Sequence, residues 1–383
     1  MRTTIILAAL TCATPSLAAE DIANRPYRTF EATPAIVAGP LVLNVSETSA
    51  VVAWMTDAPS DARVRFGEQS LEREAIPDEG GLLPVGTLHR VVVDGLRPGA
   101  RYRYQVTSRR VVAMKPYWPE RGGTAESDIA EFTTLDPSKA TTRFAVITDT
   151  HEDPARVRDL LAQIRQKDVD FVVHAGDSID DAASERQVRE GFVAPTAEGL
   201  GGRIPMLYVR GNHETRGEFS RTLMPWLYAA EGRYYYTRQH GPLQLLAIDT
   251  GEDKPDATRV YSELNNMHAY RERERRWFRE ALAQPTAAAF RVVLVHQPEW
   301  GWTSTGPGPW TQLANDAGVD LMIAGHDHVH SWSPAGGGKN YPTLVVGQDK
   351  FAIVDADRNL IRIELFDRDG RRLHGYSVSR RTR

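Results

Sequence analysis

Residues 143–151 read RFAVITDTH, an apolar run from Phe144 to Ile147 followed at once by Thr148, Asp149, Thr150 and His151. An apolar run of this length with no polar alternation fits a strand buried on both faces, as in a parallel sheet covered by helices. The same text recurs at VDFVVHAGD (169–177), IPMLYVRGN (204–212), LQLLAID (243–249), FRVVLVHQ (290–297) and VDLMIAGH (319–326), and each run ends on polar residues. Between the first two runs, Asp153 and Pro154 stand as the cap and first residue of a helix. Val157, Leu160, Leu161 and Ile164 then form its buried stripe. A second helix is predicted around RRWFREAL (275–282), and the alternating charges from Arg271 to Arg276 read as its solvated face. In LIRIELF (360–366), Ile361, Ile363 and Leu365 alternate with polar residues, so antiparallel strands close the layer.

Five of these strand ends carry side chains of metal-ligand type: Asp149 with His151, Asp177, Asn212-His213-Glu214, His296, and His326-Asp327-His328. In sheets of this class ligands bind outside the carboxyl ends of the strands, so the topology directs these groups to one crevice. Gly176, Gly211 and Gly325 allow sharp turns where the side chains must converge. Histidine usage agrees: residues 1–150 hold only His89, whereas nine of the 11 histidines lie in 151–330.

Upstream, residues 33–135 change to short alternating strands. After the Pro98-Gly99 turn, Tyr102, Tyr104 and Val106 face one way and Arg101, Arg103 and Gln105 the other, and Trp54 sits on an earlier strand. This pattern resembles a fibronectin type III-like sandwich, with Trp54 and the tyrosines as core. IPDEGGLLPVGT (76–87) and KPYWPERGGTAE (115–126) read as long exposed loops, and the polar stretch from Asp136 to Thr142 as a linker. At the start of the chain, Arg2, the apolar stretch Ile5–Leu10 and the small residues Ser16 and Ala18 read as a secretory signal peptide over residues 1–18. That stretch is far short of the ~20 residues a spanning helix needs, and no later run supplies one. Thr11 before Cys12 fits a lipoprotein processing site poorly. Export to the periplasm or the medium is expected, and the one cysteine, Cys12, leaves with the signal. With 46 Lys+Arg against 50 Asp+Glu, the chain lacks the broad positive field of a nucleic-acid coat, and its 41% hydrophobic content supports a sizeable core.

Taken in order, DTH, GD, GNHE, VLVH and GHDH resemble the motif series of the calcineurin-like metallophosphoesterases, and the preceding β segment resembles the purple acid phosphatase branch. The resemblance implies an α/β (α+β) metallophosphoesterase sandwich of β-sheets flanked by helices over 142–383, preceded by the all-β fibronectin type III-like domain. It further implies two divalent transition-metal ions. Asp149, His151, Asp177 and His328 would hold one and Asp177, Asn212, His296 and His326 the other, with Asp177 bridging. Mixed nitrogen and oxygen donors suit Fe, Zn or Mn better than Ca or Mg. By the same resemblance a metal-bound hydroxide hydrolyses a small phosphate ester, His213 protonates the leaving oxygen, and Glu214 fixes the His213 tautomer.

One departure stands out. Purple acid phosphatases have a tyrosine three residues after the bridging aspartate, and Asp180 stands there here, which argues against a coloured ferric centre. Asp180 and Asp181 otherwise read as a helix start, with Asp180 in reach of the centre. His174, His240, His268 and His89 read as structural, while His330 is open between supporting a ligand and lying at the surface. Trp300, Trp302 and Trp310 fit core packing and a rim for an aromatic leaving group equally. The leading reading is a phosphomonoesterase. A phosphodiesterase or nucleotidase on the same centre and, in a different class, a non-catalytic binding or adhesion protein stand as alternatives. Oligomeric state is not legible.

Overall fold

The computed structural model describes residues 28–298, 302–303 and 306–381, so the expected signal peptide and Trp300 lie outside the described residues. Two sheets lie face to face at the centre of the phosphoesterase-like region. The first runs in the order Arg372–Ser379, Leu360–Asp367, Lys350–Ala356, Thr142–Ile147, Phe171–Ala175 and Met206–Val209, and the last three strands are mutually parallel. The second runs Tyr236–His240, Leu243–Ala247, Phe290–Leu294, Leu321–Ala324, Thr343–Val345 and Ser331–Ser333.

Alternation along each strand explains the layering. Phe144, Val146, Phe171 and Val173 face Leu245, Val292, Leu294 and Ile323 across the inter-sheet core. Ala145, Ile147 and Val172 point the other way, onto Val157, Leu160, Leu161 and Ile164 of the helix Pro154–Ile164. Asp153 caps that helix, accepting hydrogen bonds from the N–H groups of Ala155 and Arg156. On the far side, Val293, Val295 and Met322 bury Phe278 and Leu282 of the helix Met267–Ala283, together with Trp310. Trp310 is thus a core residue, 5.7 Å from Phe278 between ring centroids.

The alternating charges on that second helix are not all solvated. Glu274 is fully buried and accepts a hydrogen bond from the Asp249 N–H at 2.7 Å, and burial pushes its carboxyl well above the ordinary range.

In the N-terminal β region, Trp54, Tyr102 and Tyr104 are buried as expected, and Trp54 Nε1 donates to Ser108 Oγ at 2.9 Å. The KPYWPERGGTAE stretch is a loop only in its first half, because Glu120–Glu126 forms a strand against Arg101–Ala113. This region joins the first sheet directly. Leu43 pairs in parallel with Met206, and Asn44 Oδ1 accepts from Tyr208 N at 2.7 Å and Tyr236 Oη at 3.1 Å. The segment read as a linker is likewise fastened, since Asp136 N donates to His240 Nδ1 at 2.9 Å and Thr142 Oγ1 donates to the His240 carbonyl at 2.8 Å. No helix of the described residues is long and apolar enough to cross a membrane.

Candidate metal centre

The carboxyl ends of the parallel strands bring the sequence-predicted residues into two adjoining groups. In the outer group, His151 Nε2 and His328 Nε2 lie 3.0 Å apart, with Asp149 Oδ1 at 3.8 Å and 3.6 Å from them respectively. In the inner group, Asp177 Oδ2 lies 2.9 Å from His296 Nε2. His326 Nδ1 is 3.3 Å from His296 Nε2 and 3.1 Å from Asn212 Oδ1. The loops interlock through their backbones: Asp149 N donates to the Gly176 carbonyl at 3.0 Å and His151 N to the Asp177 carbonyl at 3.1 Å.

Local conformation shows what holds these groups inward. Asp149, His151, Asp177, His326 and His328 all have positive φ, between 47° and 74°. A non-glycine residue rarely adopts this region, and such strain persists only where surrounding structure enforces it. Gly211 is enforced by contact, because a Cβ there would fall 2.1 Å from Asp177 Oδ1.

The donor chemistry fits cations. His296 Nδ1 is 2.7 Å from the Ala175 carbonyl, which can only accept, so Nδ1 keeps a proton and Nε2 is the nitrogen turned to Asp177. His151 Nδ1 likewise faces Asp180 Oδ1 at 2.8 Å, leaving Nε2 turned to His328 and Asp149. An unprotonated His151 Nε2 beside His328 Nε2 and the buried Asp149 carboxylate is a donor set of the kind that holds a transition-metal ion. Among the described residues, the ion pairs of Asp149 and Asp177 are with imidazoles alone. Burial pushes Asp149 above the ordinary carboxylate range, opposed by His296. Burial acts the same way on Asp177, but His296 outweighs it and holds that carboxyl far below the usual range. Burial would lower His296, yet Asp177 and then Asp149 push it up to about 9.

His213 stands at the edge of the crevice, its ring 5.0 Å from that of His151. Its Nδ1 contacts the Asp180 carbonyl at 2.5 Å, and Nε2 lies 3.8 Å from Asp177 Oδ2.

Glu214 does not orient it. The Glu214 carboxylate is fully buried on the other side of the turn and accepts from the N–H groups of Asp177 (3.2 Å), Ser178 (2.6 Å) and Gly211 (2.8 Å) and from Ser178 Oγ (2.8 Å). Four donors in a dry pocket outcompete a neighbouring imidazole, so the expected catalytic role of Glu214 is corrected to one of fixing the 176–178 and 211–214 loops. The His213 tautomer is set instead by the Asp180 carbonyl.

Asp180 is also corrected. The helix starts at Glu185 behind its cap Ser184, while the Asp180 side chain turns to His151. Sequence reading missed Arg216, whose Nη1 lies 3.1 Å from His213 Nε2, and its partner Glu252.

The structural histidines have partners. His174 is buried with Nε2 3.1 Å from Thr150 Oγ1, and burial lowers it to about 3. His330 bonds the Val345 carbonyl at 2.7 Å and Tyr376 Oη at 2.8 Å, so it supports the β edge and is not simply exposed. Trp302 belongs to a short strand, Trp302–Thr303, paired with Gly306–Pro307.

Comparison with known sequences agrees with this geometry: residues 142–330 match the profile of the calcineurin-like phosphoesterases. A curated relative, acid phosphatase type 7 of Mus musculus, is 25% identical over 264 residues, which are 64% of this chain and 55% of the relative. The chain thus matches about half the length of that relative. Among solved structures, the purple acid phosphatase PPD1 from yellow lupin seeds superposes with a TM-score of 0.65 at 15% identity, covering 91% of this chain and 74% of that one. At that identity the likeness concerns the fold, and its coverage extends beyond the phosphoesterase domain to the N-terminal β region.

Proposed function

We propose that the chain is an exported phosphatase that hydrolyses small phosphomonoesters at the crevice between the two donor groups. The observation that carries this reading is the convergence of Asp149, His151 and His328 in one group and Asp177, His296 and His326, with Asn212, in another. Asp149, His151 and His328 would hold one divalent transition-metal ion and Asp177, Asn212, His296 and His326 the second, with Asp177 reaching toward both. Two bound cations supply Lewis acidity, which activates water and neutralises charge on the phosphoryl oxygens. The protein groups do the positioning. The carbonyl of Ala175 and the carboxylate of Asp180 orient His296 and His151, Glu214 locks the loops, and His213, its Nδ1 held by the Asp180 carbonyl, would have to carry a second proton on Nε2 to pass it to the ester oxygen that departs. Iron, zinc and manganese all suit the donors, and Asp180 in place of a tyrosine supports a colourless centre.

Export rests on the N-terminal sequence MRTTIILAALTCATPSLAAE. The strand alternation of residues 33–135 and its buried Trp54, Tyr102 and Tyr104 support a fibronectin type III-like reading of that region.

The test is metal analysis of the purified chain combined with turnover of 4-nitrophenyl phosphate and bis(4-nitrophenyl) phosphate. Close to two transition-metal ions per chain, monoester turnover and its loss to a chelator are expected. Full activity without metal ends the proposal, and preferential diester turnover reassigns the substrate class.

A further inference from the structure

Arg216 is held in an unusual way for a residue on a surface turn. Its Nε and Nη2 each lie 3.0 Å from an oxygen of Glu252, a two-point pairing, and Nη2 is also 3.3 Å from Asp253 Oδ1. Glu252 is itself buried and pinned by Thr215 Oγ1 at 2.7 Å and Tyr261 Oη at 2.8 Å. Arg271, from the helix Met267–Ala283, bonds the Thr250 and Glu252 carbonyls behind it. Every one of these contacts lies on the Nε/Nη2 side of the guanidinium. The remaining corner, Nη1, is aimed at His213 Nε2. Burying the Glu252 carboxylate carries a desolvation penalty, and what the pairing secures in return is direction: a planar donor held at a fixed angle beside the crevice.

We propose that Arg216 is a specificity-determining residue whose Nη1 edge receives a non-bridging oxygen of the substrate's phosphoryl group, favouring phosphomonoester dianions over diesters. This rests on the reading that the crevice hydrolyses phosphate esters. Cations held by the donor groups would meet some phosphoryl oxygens, but a monoester dianion carries one more ionised oxygen than a diester. A guanidinium edge matches that oxygen in charge and geometry, whereas the second substituent of a diester offers it no anion.

The experiment compares the full metal-loaded chain with Arg216→Gln and Arg216→Lys. Steady-state kinetics on 4-nitrophenyl phosphate and bis(4-nitrophenyl) phosphate are combined with calorimetric binding of inorganic phosphate and metal analysis. Arg216→Gln should raise the monoester KM and the phosphate Kd by ~10–100-fold, the usual worth of a charge-assisted hydrogen bond, and affect the diester far less. Metal content should hold, and Arg216→Lys should recover part of the loss. An equal loss on both esters, or an unmoved phosphate Kd, overturns the proposal and makes Arg216 a structural tie. Should Arg216→Gln fail to fold, Arg216→Lys carries the same comparison, and an unchanged monoester-to-diester ratio overturns the proposal there. If the wild type turns over neither ester, the functional reading fails on its own, and phosphate binding still decides the role of Arg216.

Discussion

At the amino ends of the strands Thr142–Ile147 and Phe171–Ala175, acidic and basic groups are matched. Asp170 pairs with Lys139, accepts from the Arg143 N–H at 2.9 Å and lies 3.2 Å from His240 Nε2, while Arg143 pairs with Asp355 at 3.0 Å. At the carboxyl ends of the same strands, the only ion-pair partners of Asp149 and Asp177 among the described residues are imidazoles, and both aspartates sit on backbone with positive φ. An open groove of about 660 Å³ lies at the amino end, lined by Lys139, Arg143, Asp170 and Asp355. A groove is therefore not by itself what marks the donor-bearing end. What separates them is whether the charged groups have protein partners and relaxed backbone: satisfied charges stabilise, and unsatisfied, strained ones await a ligand.

Removing Asp177 should break the contrast most completely. Asp177→Ala is expected to lower metal content in both groups, as read by elemental analysis, and to take phosphatase activity to background, because its carboxylate is the negative centre of the inner group and its backbone carries the His151 loop. Full metal stoichiometry in this variant would show that the carboxyl ends are not organised around it. His213→Ala comes next, with turnover falling ~10²–10⁴-fold at unchanged metal content, the range for a residue that handles a proton. The loss should be larger for alkyl phosphates than for nitrophenyl phosphate, whose leaving group needs little protonation. An equal loss for both would mean that His213 binds phosphate without donating. Asp180→Asn should weaken the outer ion ~10–100-fold in a competition titration and spare the inner one, since an amide orients the His151 ring less strongly than a carboxylate does. Equal affinity at both positions would place Asp180 outside the site's working parts.

The legible part of this chain is the part with local cause. An apolar run followed by a polar pair marks both a buried strand and the residues at its end, so Asp149, His151, Asp177, Asn212, His296, His326 and His328 could be read one by one. The helix cap at Asp153 was legible for the same reason. Partners were not. Nothing beside Glu214 in the sequence shows that four donors of two loops surround it, and proximity to His213 misled. Asp180 reaches His151 across 29 positions, and Arg216 finds Glu252 across 36. Glu274 was hidden inside a charge run whose other members are not buried. The attachment of the β region was illegible as well, because the pairing of Leu43 with Met206 is backbone chemistry with no side-chain signature.

The smallest effect belongs to the matched end. Burial raises the Asp170 carboxyl, but His240, the Arg143 N–H and Lys139 outweigh it and bring it from 3.8 down to about 2. The backbone N–H of Asp136 occupies His240 Nδ1, so the imidazole proton sits on Nε2 and faces this carboxylate. A carboxyl depressed in the folded state binds protons less readily there than in the unfolded chain, so its contribution is complete above about pH 4 and fades as the pH falls through 2. Asp170→Asn should therefore cost ~1 kcal/mol at neutral pH after allowance for solvent screening, read as a lowered denaturant midpoint. The gap to the wild type should close progressively on acidification from about pH 4 to about pH 2. Phosphatase activity should stay at the wild-type value throughout the range in which both chains are folded. A gap that is constant with pH would mean that Asp170 stabilises through shape and its backbone hydrogen bond, and that the charges at the amino ends are as idle as those at the carboxyl ends are engaged.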